Sequence, residues 1–254
     1  MDTGNYTLDY RNFDSKAYLE TASVLFDEHG NENKLVTFLF KEFHNCFKDG
    51  IIRGKRLLDL GTGPTIASII SASHHFDEIY LSDVAPQNLS VLEEWWQGRE
   101  TYTTGRYFKP MLKYCIDLSD GRQSVEELNR SIREKIKGIL LVDVRKQQPF
   151  YPNRFAPFDA ITSRNCLDAA CTDDVGYANV LHNTSKLLKK GGSDDETKIE
   201  ETNGDSTDDY SLLSCLIDPS DIFITEIQIY KKLCGLETQT SNEFYISEAS
   251  NTNE

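Results

Sequence analysis

The sequence predicts a doubly wound α/β fold, a mostly parallel sheet with helices on both faces, and three observations carry that expectation. Short apolar runs ending in Gly or Asp alternate with segments of helical periodicity. The run over residues 57–60 leads straight into the turn Gly61-Thr62-Gly63, as a buried parallel strand does. A second run, residues 78–83, closes on an acid about 20 residues after that turn.

Each element follows in order. Residues 33–48 place apolar side chains at helical spacing, and Gly50 supplies the stop signal. A basic turn over residues 53–56 precedes the first strand, residues 57–60. Residues 65–73 read as helix, 78–83 as the second strand and 86–96 as the next helix. Residues 138–144 and 158–163 read as the third and fourth strands, and 177–190 as a helix closed by Gly191-Gly192.

Past Gly192 the alternation breaks. Residues 193–209 carry eight Asp or Glu against one Lys, a composition too charged to bury a core, and are expected to be a disordered loop. Residues 210–218 read as a late strand, with Asp218-Pro219 as cap and first turn of a helix to about residue 234. Residues 243–247 read as a final strand, and the polar residues 248–254 are expected to fray.

The chain has 254 residues, enough for one large α/β domain and too few for two. Its 41 acidic and 27 basic residues leave a net charge of −14, which argues against nucleic acid or an anionic membrane as partner. The six cysteines are scattered, without a close pair, so reduced thiols and no metal site are expected. His74-His75 lacks a third nearby ligand and reads as a solvated turn. With no leader-like start and no apolar run of spanning length, a cytoplasmic, monomeric protein is expected.

In a doubly wound sheet, ligands bind outside the carboxyl ends of the strands, where helix N-termini offer unpaired N–H groups. Four distinctive segments fall there: residues 59–65, Asp83, Asp143-Val144 and residues 163–168. The Gly61-Thr62-Gly63 turn lacks the third glycine of a dinucleotide fingerprint and is followed by Pro64, which donates no amide hydrogen bond. That disfavours an NAD-dependent oxidoreductase and suits a ligand without a pyrophosphate. Asp83 is placed to take the hydroxyls of a ribose, so an adenosine-type ligand is expected. Asp143 reads either as a loop ion pair or cap, or as the acceptor for an adenine amino group with Val144 donating to the ring. Trp95-Trp96 reads as sheet packing ahead of a cage for a cation, and Cys166 and Cys171 as small core residues.

Taken together, these residues resemble the nicotinamide, phenylethanolamine and indolethylamine N-methyltransferases. The resemblance rests on Tyr10-Arg-Asn-Phe13 with Ala17-Tyr-Leu19, Leu58-Asp-Leu-Gly-Thr-Gly-Pro-Thr-Ile66, Ser82-Asp-Val-Ala-Pro-Gln-Asn-Leu89, Cys115-Ile-Asp-Leu118, Cys166-Leu-Asp-Ala-Ala-Cys171 and Leu187-Leu-Lys-Lys-Gly-Gly192. These segments keep the family's order over residues 10 to 192.

The resemblance implies a Rossmann-like class I methyltransferase using S-adenosyl-L-methionine to methylate a small-molecule amine or pyridine-like acceptor. It implies a core over residues 1–192 with an N-terminal cofactor lid, then the acidic loop 193–209 and a diverged segment 210–247. Tyr10 and Tyr18 would fold over the cofactor, Tyr18 reaching the methionine carboxylate. Gly61, Thr62, Gly63 and Thr65 would surround the methionyl part, Asp83 and Asn88 the ribose, and Asp143 and Val144 the adenine, with Ser163 a further contact. No catalytic residue is assigned, because in-line methyl transfer to a neutral amine needs alignment rather than a dedicated base.

The chain departs from the family at Ser23 and Ala67, where tyrosines are expected, at Arg164-Asn165, where smaller or apolar residues are expected, and in the acidic stretch that displaces the acceptor segment. These departures keep an alternative open, a degenerate methyltransferase fold that acts as a binding or interaction protein.

Overall fold

The computed structural model describes residues 10–189, except 100, 120 and 168, together with residues 224–226. Among them five parallel strands form one sheet: β1 (Gly54–Leu60), β2 (Phe76–Asp83), β3 (Ile136–Leu141), β4 (Ala160–Ser163) and β5 (Ile224–Glu226). Their spatial order is β3-β2-β1-β4-β5. The sheet therefore grows outward from β1 in both directions, and strand order reverses between β1 and β4, the point at which such sheets open a crevice. The doubly wound α/β expectation is met.

Helices α1 (Ser15–Ala22), α2 (Lys34–Lys48), α3 (Pro86–Trp96), α4 (Lys109–Leu118), α5 (Val125–Lys135) and α6 (Asp174–Ser185) accompany the sheet. Asn33 caps α2 by accepting the Val36 amide at 3.2 Å, and Val36, Phe40, Phe43 and Phe47 then fall on one buried stripe. Phe47 meets Phe76 of β2 edge to face at 6.3 Å, fixing this helix against the sheet.

The strand alternation divides the core in two. Leu57, Ile79, Leu81 and Ala160 pack with α2, α4 and α5 and with Trp95 of α3. Leu58, Leu60 and Ile161 face the other way, onto Phe150, Phe158, Val180 and Leu188. Trp95 and Trp96 serve packing, their indole N–H groups donating to Asn129 Oδ1 at 2.8 Å and the Arg133 carbonyl at 3.2 Å.

Several expected boundaries need correction. Residues 65–73 do not form an α-helix: they are turns, followed by a 3-10 helix at Ala72–His75. Every side chain from Thr65 to Ser73 is buried, so this β-branched and Ser-rich stretch has no polar face to present as an amphipathic helix would. The third strand runs Ile136–Leu141 rather than 138–144, and the sixth helix ends at Ser185. β5 lies inside the stretch read as helix from 218 to 234. The expectations for residues 193–218, 243–247 and 248–254 lie outside the described residues.

Candidate functional site

The β1 register pairs Leu60 with Ser82 on one side and Ser163 on the other. The Gly61 turn, Asp83 and Arg164 therefore emerge at one level of the sheet. Gly61 and Gly63 both adopt left-handed backbone, with φ of +63° and +68°. Thr62 stitches this turn to β2: its amide donates to the Ser82 carbonyl at 2.8 Å, and its hydroxyl oxygen accepts the Ser82 amide at 3.1 Å.

Asp83 anchors the turn from the far side. Its Oδ2 accepts the Gly63 amide at 2.8 Å, while Oδ1 accepts the Ala85 amide at 2.8 Å and the Asn88 side-chain amide at 3.1 Å. Burial holds this carboxyl above the usual range, against the pull of those accepted bonds. Ser15 at the start of α1 donates to Asn88 Oδ1 at 2.7 Å, so α1 rests on the same cluster.

Asp59, one pleat earlier, carries a role that sequence reading missed. Ser68 and Thr162 each donate to its carboxylate at 2.7 Å, tying the segment after the turn to β4. Complete burial pushes its carboxyl upward. The available signal was an acid inside the otherwise apolar run of residues 57–60.

Tyr10 and Tyr18 are brought to this end of the sheet. Tyr10 donates through its hydroxyl to the Ala169 carbonyl at 3.1 Å, and Phe13 lies against both Tyr10 (6.4 Å) and Tyr18 (5.6 Å). The Tyr18 ring comes so near Gly63 that a β-carbon there would touch it at 3.7 Å. Ser163 is fully buried, and its hydroxyl has no partner among the described residues.

Other expected residues are placed differently. Thr65 is buried, its hydroxyl donating to Met111 Sδ at 3.4 Å and accepting the Ala67 amide at 3.3 Å. Val144 is buried in the second core cluster. Asp143 forms a loop ion pair, Arg145 gripping both its oxygens at 2.8 and 3.0 Å. Burial works against the Asp143 charge, but Arg145 prevails and the carboxyl lies below its usual range. Cys166 is half-buried against Gly61, and Cys171 is half-buried as well. His74 is exposed at the end of its 3-10 helix, as expected for a solvated turn.

No helix among the described residues is long and apolar enough to cross a membrane.

The chain is similar to several known proteins. Residues 5–194 match the family model of the NNMT/PNMT/TEMT family. The chain is 34% identical to nicotinamide N-methyltransferase of Homo sapiens over 181 residues, which is 71% of this chain and 67% of that protein. It is 29% identical to indolethylamine N-methyltransferase of Mus musculus, over 72% of this chain and 68% of the relative. Phenylethanolamine N-methyltransferase of Mus musculus is also 29% identical, over 73% of this chain and 63% of the relative. These matches do not favour the degenerate interaction protein that Ser23, Ala67 and Arg164 left open. The chain thus belongs to the NNMT/PNMT/TEMT family and to the S-adenosylmethionine-dependent N-methyltransferases.

Proposed function

We propose that this chain methylates the nitrogen of a small-molecule amine or pyridine-like acceptor, with the cofactor laid across the Gly61–Gly63 turn. The observation that carries the reading is the Asp83 cluster. Its Oδ2 holds one donor and keeps a lone pair for a ribose hydroxyl, within a site that excludes water from the carboxylate. The orphan Ser163 hydroxyl, one residue past the β4 partner of Asp59, fits a site that expects a further polar group.

S-adenosylmethionine, when bound, supplies an electrophilic methyl carbon on a sulfonium. The chain's part is alignment and the exclusion of water. On this reading Asp83 and Asn88 take the ribose, and Asp143 with Val144 the adenine, where Arg145 holds the Asp143 carboxylate in a fixed orientation. Gly61, Thr62, Gly63 and Thr65 form the wall beside the methionyl part, the Thr65 side chain acting through its packing on Met111. Tyr10 and Tyr18 cover the site, and Ser163 closes it from β4.

Isothermal titration with S-adenosylmethionine and S-adenosylhomocysteine is the first test, followed by turnover over a panel of primary amines and pyridines. Binding with methylated product from any of them supports the proposal. The absence of binding at millimolar concentration refutes it.

A further inference from the structure

In a chain of net charge −14, cationic groups gather at the amino end of β2. The 3-10 helix Ala72–His75 stands there, separated from Asp83 by the eight residues of the strand, roughly 25 Å. His74 and His75 adjoin in it, their ring centroids 6.5 Å apart. Lys135, the last residue of α5, donates to the Ser73 carbonyl at 2.6 Å, and His44 Nδ1 of α2 lies 3.4 Å from the buried Ser71 hydroxyl. Lys48 acts on His44 and Arg53 on His75, and no carboxylate figures among the groups that act on the three imidazoles.

A cleft of about 130 Å³ opens beside this cluster. Ile116 and Leu128 give it apolar walls, Ser71, His74, Arg122 and Gln123 polar ones, and no acid lines it among the described residues. The end of α4 brings Arg122 there. The Gly121 amide donates to the Ile116 carbonyl at 3.0 Å, and its left-handed backbone (φ +65°) turns the chain back across the helix end. The Cys115 thiol also borders the cleft, but burial pushes it up to about 12, so it brings no negative charge. The volume is below the roughly 300 Å³ at which drug-sized ligands are held, which suits an ion-sized group.

We propose that this cleft binds a small oxyanion, a phosphate or carboxylate group, between His74 and Arg122. The cations without a neighbouring carboxylate set the ligand's charge, and the concave polar wall sets its size. Desolvation by the surrounding protein, and then His75, Lys135 and His44, hold the His74 imidazole below its ordinary value. An anion seated there offsets those cations and draws a proton onto His74, so binding tightens as pH falls. The site does not depend on the cofactor reading, because none of its lining residues belongs to the Gly61–Gly63 turn or the Asp83 cluster.

The test is an NMR titration of the full chain that follows the histidine ring signals, with sulfate and acetate as probes at constant ionic strength set by chloride. Sulfate keeps its charge between about pH 5.5 and 7.5, and it is expected to bind on the order of 10-fold tighter at the acid end. Tighter binding of sulfate than of acetate assigns the site to phosphate-type ligands, and the reverse order to carboxylates. Arg122→Gln should weaken binding on the order of 10-fold throughout, and His74→Gln should remove the pH dependence. Both side chains are exposed, so both variants should melt within about 2 °C of the parent. Arg130→Gln removes an exposed arginine of α5 that does not line the cleft and should leave affinity within about twofold. Three results overturn the proposal: no saturable binding of either probe at about 100 mM, equal losses in Arg122→Gln and Arg130→Gln, or a pH dependence that survives His74→Gln.

Discussion

At Gly61 an added methyl group would lie 2.2 Å from Cys166 Sγ and 2.3 Å from its Cβ, on a backbone already in the left-handed region. At Gly63, equally left-handed, the same methyl would meet Tyr18 and Thr65 at 3.7 and 3.8 Å, ordinary contact distances. Gly61→Ala therefore carries both backbone strain of about 1 kcal/mol and overpacking of about 1–3 kcal/mol, whereas Gly63→Ala carries the strain alone. Urea denaturation should show the first variant clearly less stable than the second, and equal losses would refute the packing argument. This glycine pair and Asp83 were legible in the sequence because turn chemistry and spacing are local properties, whereas Asn88 entered only through the family resemblance. The grip of Arg145 on Asp143 and the burial of Thr65 were not, since both depend on side chains whose direction only the folded loop defines.

The helix read at about residues 86–96 was legible, because Pro86 supplies a start and the apolar stripe behind it is regular. Three helices went unread. Helix α5 buries only Leu128 and Ile132, a stripe too thin to register against its charged face, and its real signal is the capping box of Ser124 and Glu127. Ser124 accepts the Glu127 amide at 3.2 Å while Glu127 takes the Ser124 amide at 3.0 Å. Ser124→Ala should cost about 1 kcal/mol by chemical denaturation, with cofactor affinity unchanged. A change within error would mean that packing against α4 and β2 alone secures this helix. The opposite failure occurred at residues 65–73, where burial on every side carries no periodicity to read. At β5 the Asp218-Pro219 cap outweighed the β-branched Ile224 and Thr225 that form the strand.

Across the molecule, acidic groups pull stability in opposite directions with pH. Burial raises Asp59 and Asp83, so the folded state holds their protons longer than the unfolded chain, and stability falls as pH rises from the unfolded value toward the raised one. Asp159 behaves in reverse. Burial opposes its charge, but Lys189 and the Lys55 and Arg56 amides outweigh it, so its contribution is present above the unfolded value and lost as pH falls through the lowered one. Relative to the parent, Asp59→Asn should gain stability as pH rises above the unfolded carboxylate value of about 4, while the deficit of Asp159→Asn should vanish only in stronger acid, below that value. Thermal unfolding across that range checks both signs, and parallel curves for all three proteins would contradict them. The strand order was predictable only as a class: alternation announces a parallel sheet, whereas the reversal between β1 and β4 arises from long-range pairing that no local window records.

The bond from Tyr10 to the Ala169 carbonyl, with that from Ser15 to Asn88, fastens the chain's first described residues across two loops of the sheet. On the proposed reading, a molecule held beneath them departs only when they let go. Dwell time and equilibrium affinity then answer to different residues. Tyr10→Phe should quicken release of S-adenosylhomocysteine in a stopped-flow chase several-fold more than the other adenosyl contacts alone would explain, and identical release rates would show that ligand exit takes another route.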